Sequence, residues 1–301
     1  MLDVHKAKHR TIDIDGLTLF YREAGREDAP AVLLIHGFPS SSYSFRNVIG
    51  PLAEVARVVA PDMPGFGFTQ VPDDYGYSFA NMAASIDALT RALGIDRCFL
   101  YVYDFGAPVA YHLALARPER VLGLIIQNGN CHEEGLGAQW EPNKAYWADP
   151  TPENRAKLQD WLNFEGMRNE YVGGIPERLK PLFAPESWHL DWARMSRPGG
   201  VDIQFRIFES YGDYVARFPE ISAYHREHQP PALLLWGRHD VYYEIEEILA
   251  YHRELERLEM HVFDSGHEML ETHPQECAAL MREFVLNVMG PGPEGSSAEK
   301  L

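Results

Sequence analysis

Short apolar segments bounded by turn residues alternate with helical segments along most of the chain, and this alternation limits the possible folds more than any other feature. The predicted strands are residues 11–14, 17–22, 31–35, 57–60, 98–103, 121–126, 232–236 and 260–263. Apolar residues spaced three and four apart predict amphipathic helices at residues 43–55, 79–93, 108–116, 243–258 and 274–288. Strands that alternate with helices predict a mostly parallel eight-stranded sheet with helices on both faces.

The alternation stops between residues 130 and 229. Five of the six tryptophans lie in this stretch, together with many charged residues and no strand-like segment. We therefore predict a helical cap at residues 130–229, inserted between a first core part at residues 1–129 and a second at residues 230–289. Residues 290–301 are rich in glycine, proline and serine, which predicts a disordered tail.

The charge of the chain limits its partners. Lys and Arg number 27 against 44 Asp and Glu, so the formal net charge is −17. An acidic chain without a basic patch repels nucleic acid and anionic membrane surfaces, so we expect neither as a partner. The charged opening segment lacks the apolar core of a secretory signal, and no apolar segment approaches the roughly 20 residues of a membrane span. We expect a cytoplasmic protein.

The cysteine and histidine patterns do not predict a metal site. Cys98, Cys131 and Cys277 lack the spacing of metal ligands, and an odd number of cysteines suits reduced, buried thiols. His225 and His228 could hold an ion, but they lie in a charged stretch that we interpret as a solvated surface. We therefore expect no metal and no cofactor.

The best candidate for a nucleophile is Asp104. The predicted strand at residues 98–103 runs directly into Asp104, Phe105 and Gly106, and a helix follows. A carboxylate on a sharp turn at the carboxyl end of a parallel strand lies where open α/β sheets bind ligands. The same arrangement positions the serine of a Gly-x-Ser-x-Gly nucleophile elbow, a motif that this chain lacks. The alternative is an aspartate that caps the helix.

Three further strand ends supply candidate partners for Asp104. The segment HGFP at residues 36–39 contains a tight turn, and the amides of Phe38 and Phe105 together would form an oxyanion hole. The segment DSGH ends in His267, which can act as a general base. The segment WGRHD ends in Asp240, which can orient that imidazole. The chain order is therefore nucleophile, acid and base.

These motifs together resemble the α/β-hydrolase superfamily, and within it the aspartate-nucleophile branch of epoxide hydrolases and their dehalogenase relatives. HGFP, DMPGFGFT, DFG, WGRHD and DSGH follow one another in the family's order, and the resemblance covers roughly residues 10–288. It implies an α/β-hydrolase fold with a helical cap after the sixth strand. It also implies a catalytic triad of Asp104, Asp240 and His267.

The resemblance to epoxide hydrolases further implies two cap tyrosines that bind the epoxide oxygen. Tyr214 and Tyr146 lie at the family's usual distances after Asp104, and Tyr171 and Tyr211 are the rivals. We also expect His36 and Trp147 to contact the substrate.

The function that this resemblance implies is the opening of a small apolar epoxide to a vicinal diol. Asp104 would form an alkyl ester that is hydrolysed by water activated by the His267–Asp240 pair. One alternative is a haloalkane dehalogenase-like hydrolase with the same triad. Phe38 and Phe105 lack the side-chain donors that hold a halide, although Trp147 could supply one. The other alternative is a non-catalytic small-ligand binder on the same fold. A homodimer is possible in each case.

Overall fold

The computed structural model describes residues 5–159 and 162–290, and within them eight strands form one sheet. The strands are β1 (Lys8–Ile14), β2 (Leu17–Ala24), β3 (Ala31–Leu34), β4 (Arg57–Pro61), β5 (Cys98–Tyr103), β6 (Val121–Gln127), β7 (Ala232–Gly237) and β8 (Leu258–Phe263). Their order across the sheet is β1-β2-β4-β3-β5-β6-β7-β8. β2 runs antiparallel to β1 and β4, and the other neighbours are parallel. The predicted mostly parallel sheet is confirmed.

Helices cover both faces of this sheet. The α-helices of the described residues are α1 (Ile49–Leu52), α2 (Phe79–Ala92), α3 (Gly106–Ala116), α4 (Glu141–Ala148), α5 (Pro152–Gln159), α6 (Phe164–Val172), α7 (Pro185–Met195), α8 (Gly200–Glu209), α9 (Tyr211–Val215), α10 (Phe218–His228), α11 (Glu246–Glu254) and α12 (Pro274–Met289). α2, α3 and α11 bury apolar side chains in one core layer, and α1 and α12 do so in the other.

The central strand β5 shows why the strand segments consist of consecutive apolar residues in the sequence. All six residues of β5 are buried. Leu100 and Val102 belong to the core layer that contains α2 and α3, whereas Phe99 packs edge-on against Phe284 of α12, with ring centroids 5.6 Å apart. A strand covered on both faces needs apolar side chains at every position. Because β3, β5, β6, β7 and β8 are parallel, their carboxyl ends lie along one edge of the sheet.

The cap covers this carboxyl edge. In the described residues between β6 and β7 the regular elements are all helical, from α4 to α10. The Phe208 ring of α8 lies 4.5 Å from that of Phe105 and 5.2 Å from that of Phe38. Aromatic contacts therefore seat the cap on the loops that follow β3 and β5. The predicted tail spans residues 290–301, and all of it except Gly290 lies outside the described residues, as does Trp161.

The helix predicted at residues 43–55 is wrong. The structure has a 3-10 turn at Ser42–Phe45 and only the single turn α1, which contains Gly50 and Pro51. Proline lacks the amide donor and glycine adds backbone entropy, so neither residue supports a long helix here.

The helix predicted from residue 243 begins later, at Glu246 in α11. The amides of Tyr242 and Tyr243 instead donate hydrogen bonds to Asp240 Oδ1, at 2.7 and 3.2 Å. These bonds hold the chain in a turn around the Asp240 carboxylate. None of the helices in the described part of the chain is long and apolar enough to cross a membrane.

A substitution at Gly106 tests how closely the backbone packs at the carboxyl end of β5. A Cβ atom at Gly106 would lie 2.3 Å from the carbonyl oxygen of Ile35. We expect Gly106→Ala to lower the free energy of unfolding by about 1–3 kcal/mol, because the backbone at Ile35, directly after β3, must move. Urea unfolding measures this change.

The matched control is Gly50→Ala, because the nearest atom to a Cβ at Gly50 is 3.5 Å away and alanine favours helix α1. Equal losses of stability in both variants would contradict the argument.

Candidate active site

Asp104 occupies a sharp turn between β5 and α3. Its φ angle is +42°, in the left-handed region that L-residues seldom adopt. Gly37 of the neighbouring loop fits against this turn, because a Cβ atom there would lie only 2.6 Å from Asp104 Cβ. Asp104 does not cap α3, since the helix has Phe105 at its N-cap position and no side-chain cap hydrogen bond. The alternative of a helix-capping aspartate is therefore wrong.

The two carboxylate oxygens of Asp104 have different surroundings. Oδ1 accepts a hydrogen bond from the backbone amide of Phe38 at 2.5 Å. Oδ2 accepts one from the hydroxyl of Tyr243 at 3.1 Å, and it lies 3.6 Å from Nε2 of His267. One oxygen is thus held by the backbone, while the other faces the imidazole.

His267 is oriented by Asp240. Its Nδ1 lies 2.8 Å from Asp240 Oδ2, and that carboxylate also accepts a bond from Nδ2 of Asn128 at 2.8 Å. The tautomer assigned by this geometry carries its proton on Nδ1. In the neutral form of the imidazole, Nε2 is a lone pair that faces Asp104, and this nitrogen is buried 3.6 Å from Asp104 Oδ2. Nε2 is therefore placed to accept a proton from a molecule that enters this space.

Burial and the neighbouring charges shift the pKa of His267 in opposite directions. Burial lowers the pKa of its imidazole, but the carboxylates of Asp240 and Asp104 outweigh burial and raise that pKa well above its usual value. The cationic form is therefore favoured while both carboxylates are ionised.

A cavity of about 190 Å³ lies between the cap and the carboxyl edge of the sheet. Its core side includes Phe38, Asp104, Phe105 and Tyr242. Its cap side includes Trp140, Asn143, Asn169, Glu170 and Phe208. Aromatic side chains together with the carboxyl groups of Asp104 and Glu170 suit a small ligand that has an apolar part and a polar group.

The structure brings the three predicted triad residues together with Phe38 and Phe105. His36 lies elsewhere: its Nδ1 is 2.9 Å from the Gly37 carbonyl oxygen, and its Nε2 accepts the Met63 amide at 2.9 Å. Burial lowers the pKa of His36, so the neutral imidazole links two loops behind the site. It is not among the residues that line the cavity.

The two predicted cap tyrosines and Trp147 also lie away from the cavity lining. The Tyr214 hydroxyl donates to the carbonyl oxygen of Asn130 at 2.5 Å, and the Tyr146 hydroxyl donates to Glu209 at 2.8 Å. Trp147 stacks on Tyr211 with centroids 6.0 Å apart. Helix packing within the cap, which the sequence does not reveal, turns these side chains toward other partners.

The rivals Tyr171 and Tyr211 have different positions. The Tyr171 hydroxyl donates to Asp191 Oδ2 at 2.5 Å. The Tyr211 ring lies 5.6 Å from that of Phe105, and its hydroxyl is 3.2 Å from the Tyr243 hydroxyl. Tyr211 is therefore connected to Asp104 indirectly, because the Tyr243 hydroxyl contacts the Tyr211 hydroxyl and donates to Asp104 Oδ2.

Two residues of the site, Tyr243 and Glu170, are not predicted from the sequence. Tyr243 follows Asp240 by three residues, and the turn around Asp240 delivers its hydroxyl to the nucleophile. Glu170 shares the buried stripe of α6 with Met167 and Tyr171, and a glutamate on an apolar stripe is the signal that could have revealed it. Burial raises the pKa of Glu170 well above its usual value, although His267 opposes this shift.

Comparison with known proteins places this chain in a family. The family model of the alpha/beta hydrolase fold matches residues 30–274. An uncharacterized hydrolase of Saccharomyces cerevisiae is 38% identical over 266 residues, which is 86% of this chain and 90% of the yeast protein. Epoxide hydrolase 3 of Mus musculus is 25% identical over 288 residues, which is 91% of this chain and 76% of the mouse protein.

A solved structure gives a similar result. The haloalkane dehalogenase DbeA from Bradyrhizobium elkani has a TM-score of 0.75 and 25% identity, and the match covers 94% of this chain and 99% of that one. The family model alone spans most of the residues that form the sheet, the cap and the candidate site. This chain therefore belongs to the α/β-hydrolase fold family.

Proposed function

We propose that this hydrolase opens small apolar epoxides to vicinal diols through an ester on Asp104. The observation that carries the proposal is the environment of one atom, Asp104 Oδ2, which lies 3.6 Å from His267 Nε2 and 3.1 Å from the Tyr243 hydroxyl. Asp104 lines the cavity, and a base and an acid lie next to the same oxygen of its carboxylate. An epoxide hydrolase of mouse among the relatives of the chain supports the same substrate class.

In the first step, Oδ2 forms a bond to an epoxide carbon while the ring C–O bond breaks. An aspartate is ionised at neutral pH, so it needs no base for this attack. The ring oxygen becomes an alkoxide and takes the hydroxyl proton of Tyr243. Burial raises the pKa of Tyr243 well above its usual value, with a further rise from Asp104, so the phenol is protonated before the attack.

In the second step, His267 Nε2 takes a proton from water as the water oxygen attacks the ester carbonyl. The amides of Phe38 and Phe105 hold the resulting oxyanion. The C–O bond to the substrate breaks, and the imidazolium protonates the departing alkoxide to give the diol. Asp104 is regenerated as a carboxylic acid, which returns a proton to the neighbouring Tyr243 phenolate. The proton balance of the cycle is then closed.

Halide release fits the cavity less well than epoxide opening. The indole N–H of Trp140 donates to the carbonyl oxygen of Tyr242 at 2.7 Å, so it is directed away from the cavity. Phe38 and Phe105 offer no side-chain donor. We therefore favour epoxide opening over dehalogenation of haloalkanes. Parallel assays of the diol and of released halide distinguish the two reactions.

Substitutions of the nucleophile Asp104 and the base His267 test the two steps of the reaction separately. We expect Asp104→Asn to lose diol formation, because an amide is a poor nucleophile toward an epoxide. We expect His267→Gln to form the ester and to hydrolyse it at least about 10²-fold more slowly. Intact-mass spectrometry with styrene oxide should then show protein heavier by one substrate molecule. Full turnover by Asp104→Asn would refute the mechanism, and it would also refute the non-catalytic alternative.

The proton donor is tested by removing one hydroxyl. We expect Tyr243→Phe to slow ester formation by about 10²-fold or more in single-turnover experiments, because the alkoxide loses its acid. The matched control is Tyr214→Phe, which removes a hydroxyl that is bonded to the Asn130 carbonyl oxygen instead. If Tyr214→Phe slowed ester formation and Tyr243→Phe left its rate unchanged, Tyr214 would be the proton donor instead of Tyr243.

The pH dependence of ester hydrolysis follows from the charges at His267. Its neutral form is the base, so the rate should rise with pH and level off above the imidazole pKa. Asp240 raises that pKa, so Asp240→Asn should move the rising limb to lower pH and also reduce the plateau rate. The decay of the ester, followed by rapid quench across pH, measures both effects.

Glu268 needs a separate control in this experiment. It is buried and near His267, and burial raises its pKa to about 8. Glu268→Gln should keep the rising limb, because the imidazole remains. If the rise of the hydrolysis rate with pH disappeared in Glu268→Gln, the titrating group would be Glu268 and not His267.

A further inference from the structure

A second cluster of buried polar side chains lies outside the cavity. Cys131, His132 and His225 are all buried, and they lie beside the carboxylates of Glu247 and Glu254. The proposed reaction uses none of these groups. The cluster joins the segment after β6, helix α10 and helix α11.

The donor atoms of this cluster converge on one region. His132 Nε2 and His225 Nδ1 are each 3.0 Å from the same atom, Glu254 Oε2. The sulfur of Cys131 lies 3.9 Å from His132 Nε2. One donor atom from each of Cys131, His132 and His225 lies within 4.8 Å of the others. Ligands of a tetrahedral zinc ion, with bonds of about 2.0–2.3 Å, are separated by roughly 3.3–3.8 Å. Small side-chain movements would therefore bring these atoms to metal-ligand distances.

The outer nitrogens of the two imidazoles are held by other partners. His132 Nδ1 lies 2.8 Å from Glu247 Oε1, and His225 Nε2 lies 3.0 Å from the hydroxyl of Tyr111. Glu247 is itself fixed, because it also accepts the backbone amide of Cys131 at 2.7 Å. Metal-bound histidines characteristically donate their second nitrogen to a carboxylate or another oxygen. Both histidines of the cluster have this arrangement.

We propose that the cluster is a metal site for Zn²⁺, with Cys131 Sγ, His132 Nε2, His225 Nδ1 and Glu254 Oε2 as ligands. One sulfur, two imidazole nitrogens and one carboxylate oxygen form a ligand set that suits Zn²⁺ in tetrahedral geometry. Four protein ligands leave no open position, so the site is structural rather than catalytic.

The charges of the cluster are compatible with a dication. Without a metal, His132 faces two carboxylates and must donate from both nitrogens. Zn²⁺ would replace one imidazole proton and the thiol proton, so the total charge stays the same. Arg226 Nη1 lies 2.8 Å from Glu254 Oε1 and remains outside the ligand set.

The position of the site gives it a role in holding the cap. Cys131 and His132 lie where the chain leaves β6 for the cap, and His225 lies near the end of α10, where the chain returns to the sheet. Glu254 belongs to α11 of the core. A metal ion would therefore tie both ends of the cap to the core.

The sequence predicts no metal site here for two reasons. The cysteines lack a ligand spacing, and the stretch around His225 is rich in charge. His225 is completely buried in the structure, whereas His228 on the same helix is exposed. The ligands come from three separate segments, which no local spacing reveals.

Cobalt binding tests the proposal through the sulfur ligand. Untagged protein is treated with a chelator, dialysed, and titrated with Co²⁺. We expect one Co²⁺ per chain, with the visible d–d bands of a tetrahedral ion and a thiolate-to-cobalt charge-transfer band. Cys131→Ala should lose the charge-transfer band. The matched control is Cys277→Ala, which removes another fully buried thiol and should keep the band.

Thermal unfolding gives a second readout. Zn²⁺ at about 100 times its dissociation constant should raise the unfolding midpoint of the chelator-treated wild type on the order of 5 °C, with a much smaller rise for Cys131→Ala. Wild-type protein that binds no Co²⁺ and gains no stability from Zn²⁺ would overturn the proposal. An unchanged charge-transfer band in Cys131→Ala would also overturn it. Neither result would affect the assignment of Asp104.

Discussion

The site depends on the left-handed turn at Asp104 and on the loop that packs against it. A non-glycine residue in this region costs on the order of 1–3 kcal/mol, so the surrounding contacts must hold it there. Gly37 and Gly106 allow the backbone after β3 to approach the turn closely. That approach delivers the Phe38 amide to Asp104 Oδ1. The same geometry that stores strain thus holds one carboxylate oxygen and leaves the other facing His267.

Electrostatics links the two halves of the proposed reaction. In the resting enzyme, two carboxylates flank one imidazole and raise its pKa. Ester formation on Asp104 removes one of these charges, so the pKa of His267 falls when a neutral base is needed. Asp240 stays in place beside His267 Nδ1, because Asn128 and the turn amides of Tyr242 and Tyr243 donate hydrogen bonds to its carboxylate. A single histidine can therefore remain passive during alkylation and act as the base afterward.

The sequence predicted the core and its strand ends more closely than the cap. Cys98–Tyr103 was predicted to the residue, since a strand buried on both faces has an unbroken apolar run. Asp104, Asp240 and His267 each follow a strand, and parallel strands bring their carboxyl ends together. Tyr146 and Tyr214 had no such constraint. Their directions depend on how short cap helices rotate against one another, and local sequence does not encode that rotation.

Isotopic labelling of the first turnover tests the central claim most directly. Enzyme in excess over an epoxide is allowed one turnover in water enriched in ¹⁸O, and both the diol and the peptide that contains Asp104 are analysed by mass spectrometry. If Asp104 Oδ2 attacks the epoxide and water then attacks the ester carbonyl, the diol carries no ¹⁸O and the Asp104 carboxylate gains it. A first-turnover diol that carries ¹⁸O, beside an unlabelled Asp104, would contradict the account, because water would then have attacked the epoxide itself.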